Sequence, residues 1–295
     1  MESPIVAPEV LGGWIADGRS DLRVVDVRWY LGQPRGTGRT AYDAGHIPGA
    51  IHIDLDTELV GPDGPGRHPL PDPSVFARTL AGRGIGDGDL VVAYDDVGGW
   101  VAARLWWMLD DLGLGADGRG GALVLDGGLP AWIAAGLPLS TDEPAVAARR
   151  DLHLARAWRR VVDRAALKPM LGEVLLLDAR AGPRYRGEIE PIDPVAGHIP
   201  TAVNAPTDGN LCADGRLRSG PDLAARFLDL RVMAGAAADG QVVTSCGSGV
   251  SACHNALAMR IAGLPDPILY PGSYSEWTRS GEAVVVGPDP GEGPA

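Results

Sequence analysis

The feature that most constrains this chain is that it carries the same set of landmarks twice. Leu22-Arg23-Val24-Val25-Asp26-Val27-Arg28 returns as Leu175-Leu176-Leu177-Asp178-Ala179-Arg180, with Asp26 and Asp178 152 residues apart. Gly45-His46-Ile47-Pro48-Gly49-Ala50 returns as Gly197-His198-Ile199-Pro200-Thr201-Ala202, again 152 residues on. Leu90-Val91-Val92-Ala93-Tyr94-Asp95 matches Val242 to Cys246, which sets Asp95 opposite Cys246. Leu125-Asp126-Gly127-Gly128-Leu129-Pro130-Ala131-Trp132 corresponds to Tyr270-Pro271-Gly272-Ser273-Tyr274-Ser275-Glu276-Trp277. Four landmarks in one order at nearly one spacing mark a duplicated domain, and the period is too long for a solenoid.

A length of 295 residues agrees with two domains, each large enough to bury a core. Helix-like segments lie between the landmarks: Ser74 to Gly82, Trp100 to Leu112 and Asp222 to Ala234. A further one follows Cys246, with apolar residues at Val250, Cys253, Leu257, Ile261 and Leu264 spaced like one helix face. Strands alternating with helices predict an α/β fold in which each half is a mainly parallel sheet with helices on both faces. The expected bounds are 1–140 for the first domain, 141–151 for a polar, proline-containing linker and 152–286 for the second domain. The Gly/Pro-rich stretch 287–295 is expected to be a loose tail.

Composition narrows the partners. A net charge of −12 and a pI near 4.9 argue against nucleic acid or an anionic membrane, and point to a small-molecule or protein substrate. The N-terminus lacks the basic segment and apolar core of a secretory signal, and no stretch approaches the ~18 apolar residues of a membrane span, so a cytoplasmic location is expected. Three cysteines, Cys212, Cys246 and Cys253, are too few for a disulfide framework and fit a reducing compartment. They form no Cys-x2-Cys pair, which speaks against zinc.

Chemistry concentrates in Ser245-Cys246-Gly247-Ser248-Gly249-Val250-Ser251-Ala252-Cys253-His254, between the β-branched run Gln241 to Thr244 and the helix-like segment. Cys246 is therefore expected at a strand-to-helix turn. Its glycines let the backbone bend tightly, and the N–H groups of the turn and of the first helical residues then converge on one point, which favours a thiolate. Cys253 and His254 are read as core. His46 and His198 are read as turn braces, since they recur in a half that has no matching cysteine. Asp26 and Asp178 are expected to bind backbone N–H groups, and Trp106, Trp107, Trp132 and Trp277 to fill cores.

These landmarks resemble the tandem-domain rhodanese family of sulfurtransferases over nearly the whole chain. Tyr42-Asp43-Ala44-Gly45-His46-Ile47-Pro48-Gly49-Ala50 is similar to that family's first signature, and Cys246-Gly247-Ser248-Gly249-Val250-Ser251-Ala252 to the 3-mercaptopyruvate sulfurtransferase loop. The resemblance implies two rhodanese-like domains, the first without a catalytic cysteine because Asp95 stands there. It implies a ping-pong reaction through a persulfide on Cys246. Sulfur comes from 3-mercaptopyruvate, or alternatively thiosulfate, and passes to cyanide or a thiol such as thioredoxin or a low-molecular thiol. No metal or organic cofactor is implied. Arg184, in Arg184-Tyr185-Arg186-Gly187, is the implied donor-binding cation, with Gly247, Gly249, Val250 and Ser251 lining the substrate loop. Ser248, His68 and Asp56 are the implied proton relay, with Asp54 the alternative to Asp56 and both His68 and its aspartate supplied by the first domain. One departure stands out: Ile192 follows Glu190-Pro191 where a second arginine is usual in the mercaptopyruvate enzymes, leaving Arg180 or Arg186 as substitutes. The phosphatases that share this architecture have a Cys-x5-Arg loop, and Ala252 removes that arginine. A regulatory or binding module without chemistry is the remaining alternative.

Overall fold

Short runs of leucine and β-branched residues form the centres of two sheets in the computed structural model, which describes residues 3–62, 64, 66–145, 150–235 and 240–293. The strands are β1 (Ile5–Val6), β2 (Leu22–Asp26), β3 (Ile51–His52), β4 (Leu90–Tyr94), β5 (Gly121–Leu125), β6 (Leu175–Asp178), β7 (Val203–Asn204), β8 (Val242–Ser245) and β9 (Ile268–Leu269). Every named pairing is parallel. The first sheet runs β1-β5-β4-β2-β3 and the second β7-β6-β8-β9. Without β1, the order β5-β4-β2-β3 is repeated as β9-β8-β6-β7, so the duplication seen in sequence is a duplication of topology. Val161, in a single parallel bridge to Leu269, holds the position of β1 in the second copy.

Parallel strands covered on both faces read as continuous apolar runs rather than alternating ones. Leu175 and Leu177 face one core with Leu223, Phe227 and Met259, while Leu176 faces another with Val243, Tyr270, Tyr274 and Trp277. Val24, Val92, Leu125 and Trp132 belong to the corresponding core of the first sheet. Trp106, Trp107, Trp132 and Trp277 are all buried, as expected of core aromatics. Helix starts are set locally. The Asp72 side chain accepts the N–H groups of Ser74 and Val75 ahead of helix Pro73–Gly82, and Ser219 accepts that of Asp222 ahead of Gly220–Met233. Among the described residues, no helix is long and apolar enough to cross a membrane.

The recurring polar residues brace the backbone in the same way in each copy. His46 Nδ1 lies 2.9 Å from the Tyr42 carbonyl and the ring stacks on Tyr42 at 3.8 Å; His198 repeats both with Tyr185, at 2.9 Å and 3.8 Å. Asp26 accepts the N–H of Arg28 and pairs with its guanidinium, which also reaches the Gly45 carbonyl; Asp178, Arg180 and Gly197 form the same arrangement. Such pairs satisfy both oxygens of each buried aspartate, while Arg180 Nη1 is left without a hydrogen-bond partner among the described residues.

The chain divides into two compact units. The first comprises Met1–Gly61, Pro71–Arg159 and Cys212–Leu217, and the second Pro62–Leu70, Arg160–Leu211 and Arg218–Ala295. Residues 150–159 pack with the first unit, where Arg150 N–H reaches the Ala81 carbonyl at 3.2 Å and Ala155 N–H that of Leu112 at 2.9 Å. The division thus falls after the expected linker 141–151, of which residues 146–149 lie outside the described residues. The segment 62–70, with His68, belongs to the second unit rather than the first. The stretch expected to be a loose tail is anchored in its described part. Thr201 N–H donates to the Pro290 carbonyl at 2.7 Å, and His198 Nε2 lies 3.1 Å from that of Asp289; residues 294–295 lie outside the described residues.

In the first unit the loop after β4 closes on a carboxylate. Asp95 is fully buried, and its two oxygens accept four backbone N–H groups, from Val97 (3.0 Å), Gly99 (2.8 Å), Val101 (2.9 Å) and Ala102 (3.0 Å). Burial pushes the Asp95 carboxyl up from its ordinary pKa, against the pull of those four donors. Removing the acceptor leaves the donors buried without a partner. Asp95→Ala is expected to destabilise the first unit by at least about 3 kcal/mol in urea denaturation, and a change below about 1 kcal/mol would contradict this role.

Candidate active site

The corresponding loop of the second unit begins where β8 ends. Cys246 is 2% exposed, and its Sγ accepts the N–H groups of Ser248 at 3.4 Å and Gly249 at 3.1 Å. The sulfur thus occupies the position, at the C-terminal edge of a parallel sheet, where converging N–H groups stabilise negative charge. Gly249 is required by geometry: its φ is +78°, and a Cβ there would sit 2.6 Å from the Pro271 carbonyl oxygen. Val250 is buried, and Ser251 precedes the helix Ala252–Ile261. Cys253 is buried with its thiol 3.4 Å from the Gly249 carbonyl, and His254 is buried beside Asn210 at 3.0 Å, both consistent with a packed helix start.

The turn 270–275, a landmark in sequence whose clamping role sequence reasoning missed, holds this loop. Tyr274 N–H donates to the Cys246 carbonyl at 3.0 Å and Ser275 N–H to that of Gly247 at 2.9 Å. Ser273 Oγ accepts the Cys246 N–H at 3.1 Å and donates to the Tyr270 carbonyl at 2.8 Å. Its φ is +52°, a left-handed conformation unusual outside glycine. In the first unit the matching residues are Gly128 and Pro130, so a signal was present: hydroxyls at 273 and 275 occur only in the copy that has the cysteine.

The segment 62–70 brings two more side chains to the loop. His68 Nδ1 lies 2.7 Å from Ser248 Oγ, with both residues buried. Arg67 N–H donates to Ser275 Oγ at 3.1 Å, and its guanidinium pairs with Asp193. Asp56, the third member of the relay read from sequence, lies in the first unit on the helix Leu55–Glu58; its alternative, Asp54, accepts the Thr57 hydroxyl at 2.9 Å.

Arg184 is 11% exposed, paired with Glu190 at 2.7 Å and Asp193 at 3.2 Å. Burial pushes the Glu190 carboxyl up, but Arg184 and the N–H groups of Asp193 and Ile192 outweigh it and hold the pKa below the usual carboxylate value. Asp193 goes the other way, because its burial outweighs the attraction of Arg67. Of the two suggested substitutes for a second arginine, Arg180 reaches the Arg184 cluster, with its Nη1 3.5 Å from Glu190, whereas Arg186 is engaged at the surface. Arg180 is locked to Asp178 and lies over the Tyr274 ring at 3.7 Å, while Arg186 pairs at the surface with Glu188 at 2.7 Å. Chemically, the unit offers a sulfur in an N–H cradle, an adjacent hydroxyl–imidazole pair and guanidinium groups for an anion.

A family model described as a rhodanese-like domain matches residues 8–135 and 163–280. The chain is 46% identical over 262 residues to a probable 3-mercaptopyruvate sulfurtransferase of Pseudomonas aeruginosa, covering 87% of this chain and 89% of that one. It is 38% identical to a putative thiosulfate sulfurtransferase of Mycobacterium tuberculosis, covering 93% of each. Among solved structures, 3-mercaptopyruvate sulfurtransferase from Leishmania major superimposes with a TM-score of 0.79 at 30% identity, over 94% of this chain and 75% of that one.

The Ser273 geometry makes a prediction. Ser273→Ala loses both hydroxyl bonds and keeps the left-handed strain, whereas Ser273→Gly loses the bonds and relieves the strain. Chemical denaturation is expected to find the alanine variant less stable than the glycine variant by about 1 kcal/mol, and equal stabilities would contradict it.

Proposed function

The chain belongs to the rhodanese-like family of sulfurtransferases, and from that premise we propose that Cys246 carries sulfur from 3-mercaptopyruvate to a thiol or cyanide. The observation that carries this reading is the Cys246 sulfur under two loop N–H groups, next to the hydrogen-bonded Ser248–His68 pair.

The Cys246 thiolate attacks the sulfur of the donor. The carbon–sulfur bond breaks, its electron pair leaves as the enolate of pyruvate, and the sulfur stays on Cys246 as a persulfide. Loop N–H groups stabilise the persulfide anion, as oxyanion-type donors stabilise charge elsewhere. Ser248, backed by His68, donates the proton that converts the enolate to pyruvate, and Asp56 is the proposed third member of that relay. An acceptor thiolate then attacks the outer sulfur and returns Cys246 to the thiolate. Arg184 orients the donor carboxylate by its planar fork, and Gly247, Gly249, Val250 and Ser251 wall the sulfur. Thioredoxin or a low-molecular thiol is the proposed acceptor. Such acceptors are kept reduced in the cytoplasm, where we place the enzyme.

The second reading keeps the persulfide and makes thiosulfate the main donor, since the names of relatives fall on both sides. Gly247 and Ser248 are neutral and draw a dianion less than a basic pair would, which favours 3-mercaptopyruvate.

Incubation with 3-mercaptopyruvate is expected to add the mass of one sulfur atom to Cys246, removable by cyanide and absent from Cys246→Ser. No adduct on the intact protein would overturn the reading. The relay has its own signature, because thiosulfate leaves no enolate to protonate. His68→Gln and Ser248→Ala are expected to lower kcat with 3-mercaptopyruvate roughly 100-fold and to spare turnover of thiosulfate. Equal losses with both donors would remove the relay, and wild-type turnover of 3-mercaptopyruvate by Asp56→Asn would remove Asp56 from it.

A further inference from the structure

Arg67, Arg180 and Arg184 each face a carboxylate, but two further arginines of the second unit do not. Arg218 and Arg226 both reach the turn Thr207–Asn210, and neither pairs with a carboxylate among the described residues. Arg226 Nη2 donates to the Pro206 carbonyl at 3.0 Å, and Arg218 Nη1 to that of Gly209 at 3.4 Å. A Cβ built on Gly209 would lie 2.7 Å from both Nε and Nη2 of Arg226, so that guanidinium packs directly against the glycine. The two cations therefore meet at one residue, away from the Cys246 loop.

Backbone carbonyls accept hydrogen bonds from these groups but do not neutralise them. Arg226 Nη1 is buried with no hydrogen-bond partner among the described residues. Burial and the neighbouring Arg218 push the Arg226 pKa down to about 10, against a smaller opposing pull from Asp208, which is exposed on the same turn. A part-buried cation without a counter-charge carries a cost that a bound anion offsets. The chain as a whole has a net charge of −12, so the pair is a local exception and not part of a general basic surface. Two guanidinium groups presented from one turn suit a tetrahedral oxyanion, whose several oxygens accept from both at once. A single carboxylate has two oxygens, and one guanidinium fork already occupies them.

We propose that Arg218 and Arg226 form a binding site for a phosphate-type oxyanion beside Gly209, either the free anion or the terminal group of a phosphomonoester. No residue of the Cys246 loop takes part, so the site stands whether or not Cys246 carries sulfur. Its connection to that loop is structural. The next residue, Asn210, donates to Asn255 Oδ1 at 2.8 Å and lies 3.0 Å from His254 Nδ1, both on the helix that follows the loop. A bound anion fixes the turn that braces this helix, and it stabilises the unit without competing with the sulfur donor.

The test is thermal denaturation of the full chain in about 20 mM inorganic phosphate, in glycerol 3-phosphate, and in sodium chloride of matched ionic strength. The wild type is expected to gain roughly 3–6 °C in Tm with inorganic phosphate over chloride. Arg226→Met and Arg218→Gln should lose that gain, while Arg184→Gln, altered beside the Cys246 loop, should keep it. If Arg226→Met does not fold, Arg218→Gln decides by the same difference. A matching gain with glycerol 3-phosphate supports a site open to phosphomonoesters, and a gain confined to inorganic phosphate supports one closed around the free anion. A crystal grown in phosphate should show the anion within hydrogen-bonding distance of both guanidinium groups. No gain with either phosphate overturns the proposal. So does a gain that survives both Arg218→Gln and Arg226→Met, or one lost only in Arg184→Gln.

Discussion

The structure depends on one constraint: where a parallel strand turns sharply into a helix, backbone N–H groups without helical partners converge on a single place and need an acceptor. Both copies of the domain meet it at the end of the same strand, β4 in the first unit and β8 in the second. In the first the acceptor is Asp95, whose oxygens take four N–H groups. In the second it is the Cys246 sulfur, which takes two. A carboxylate extends two atoms beyond Cβ, as a persulfide does, so Asp95 has the reach of the persulfide proposed for Cys246.

What the two copies share is scaffold, and what separates them is chemistry. The Asp–Arg pairs and the His–Tyr stacks recur with nearly identical distances and would serve any function. The hydroxyls of Ser273 and Ser275, the Ser248–His68 pair and the Arg67–Asp193–Arg184 bridge belong to the second unit. Each fixes a group at the Cys246 loop: its backbone, its hydroxyl–imidazole pair, or its guanidinium groups. Alternating guanidinium and carboxylate groups let three arginines, Arg67, Arg180 and Arg184, stand in one unit with each of their charges compensated.

Much of this was legible in sequence because duplication repeats a pattern at a fixed offset. The parallel sheets, the Cys246 turn, the bracing roles of His46 and His198 and the core positions of the tryptophans all follow from residues that recur or from local periodicity. Arg67 was not legible in this way. Its partners Asp193 and Ser275 are distant in sequence, and one arginine before His68-Pro69 carries no periodic signal. The turn 270–275 was visible as a landmark, but Ser273 could be recognised as a clamp only once its hydroxyl was seen between Cys246 and Tyr270. The stretch 287–293 reads as loose from its glycines and prolines, yet the same backbone offers the carbonyls of Asp289 and Pro290 to His198 and Thr201.

The central claim is that the loop after β8 is an N–H cradle built for the outer sulfur of a persulfide, as the loop after β4 is filled by a carboxylate. A crystal structure of the donor-treated protein tests it most directly. The account predicts one extra sulfur on Cys246, within hydrogen-bonding distance of N–H groups of residues 248–253 and with the loop backbone unmoved. An outer sulfur turned away from those N–H groups, or carried on Cys212 or Cys253, would contradict it.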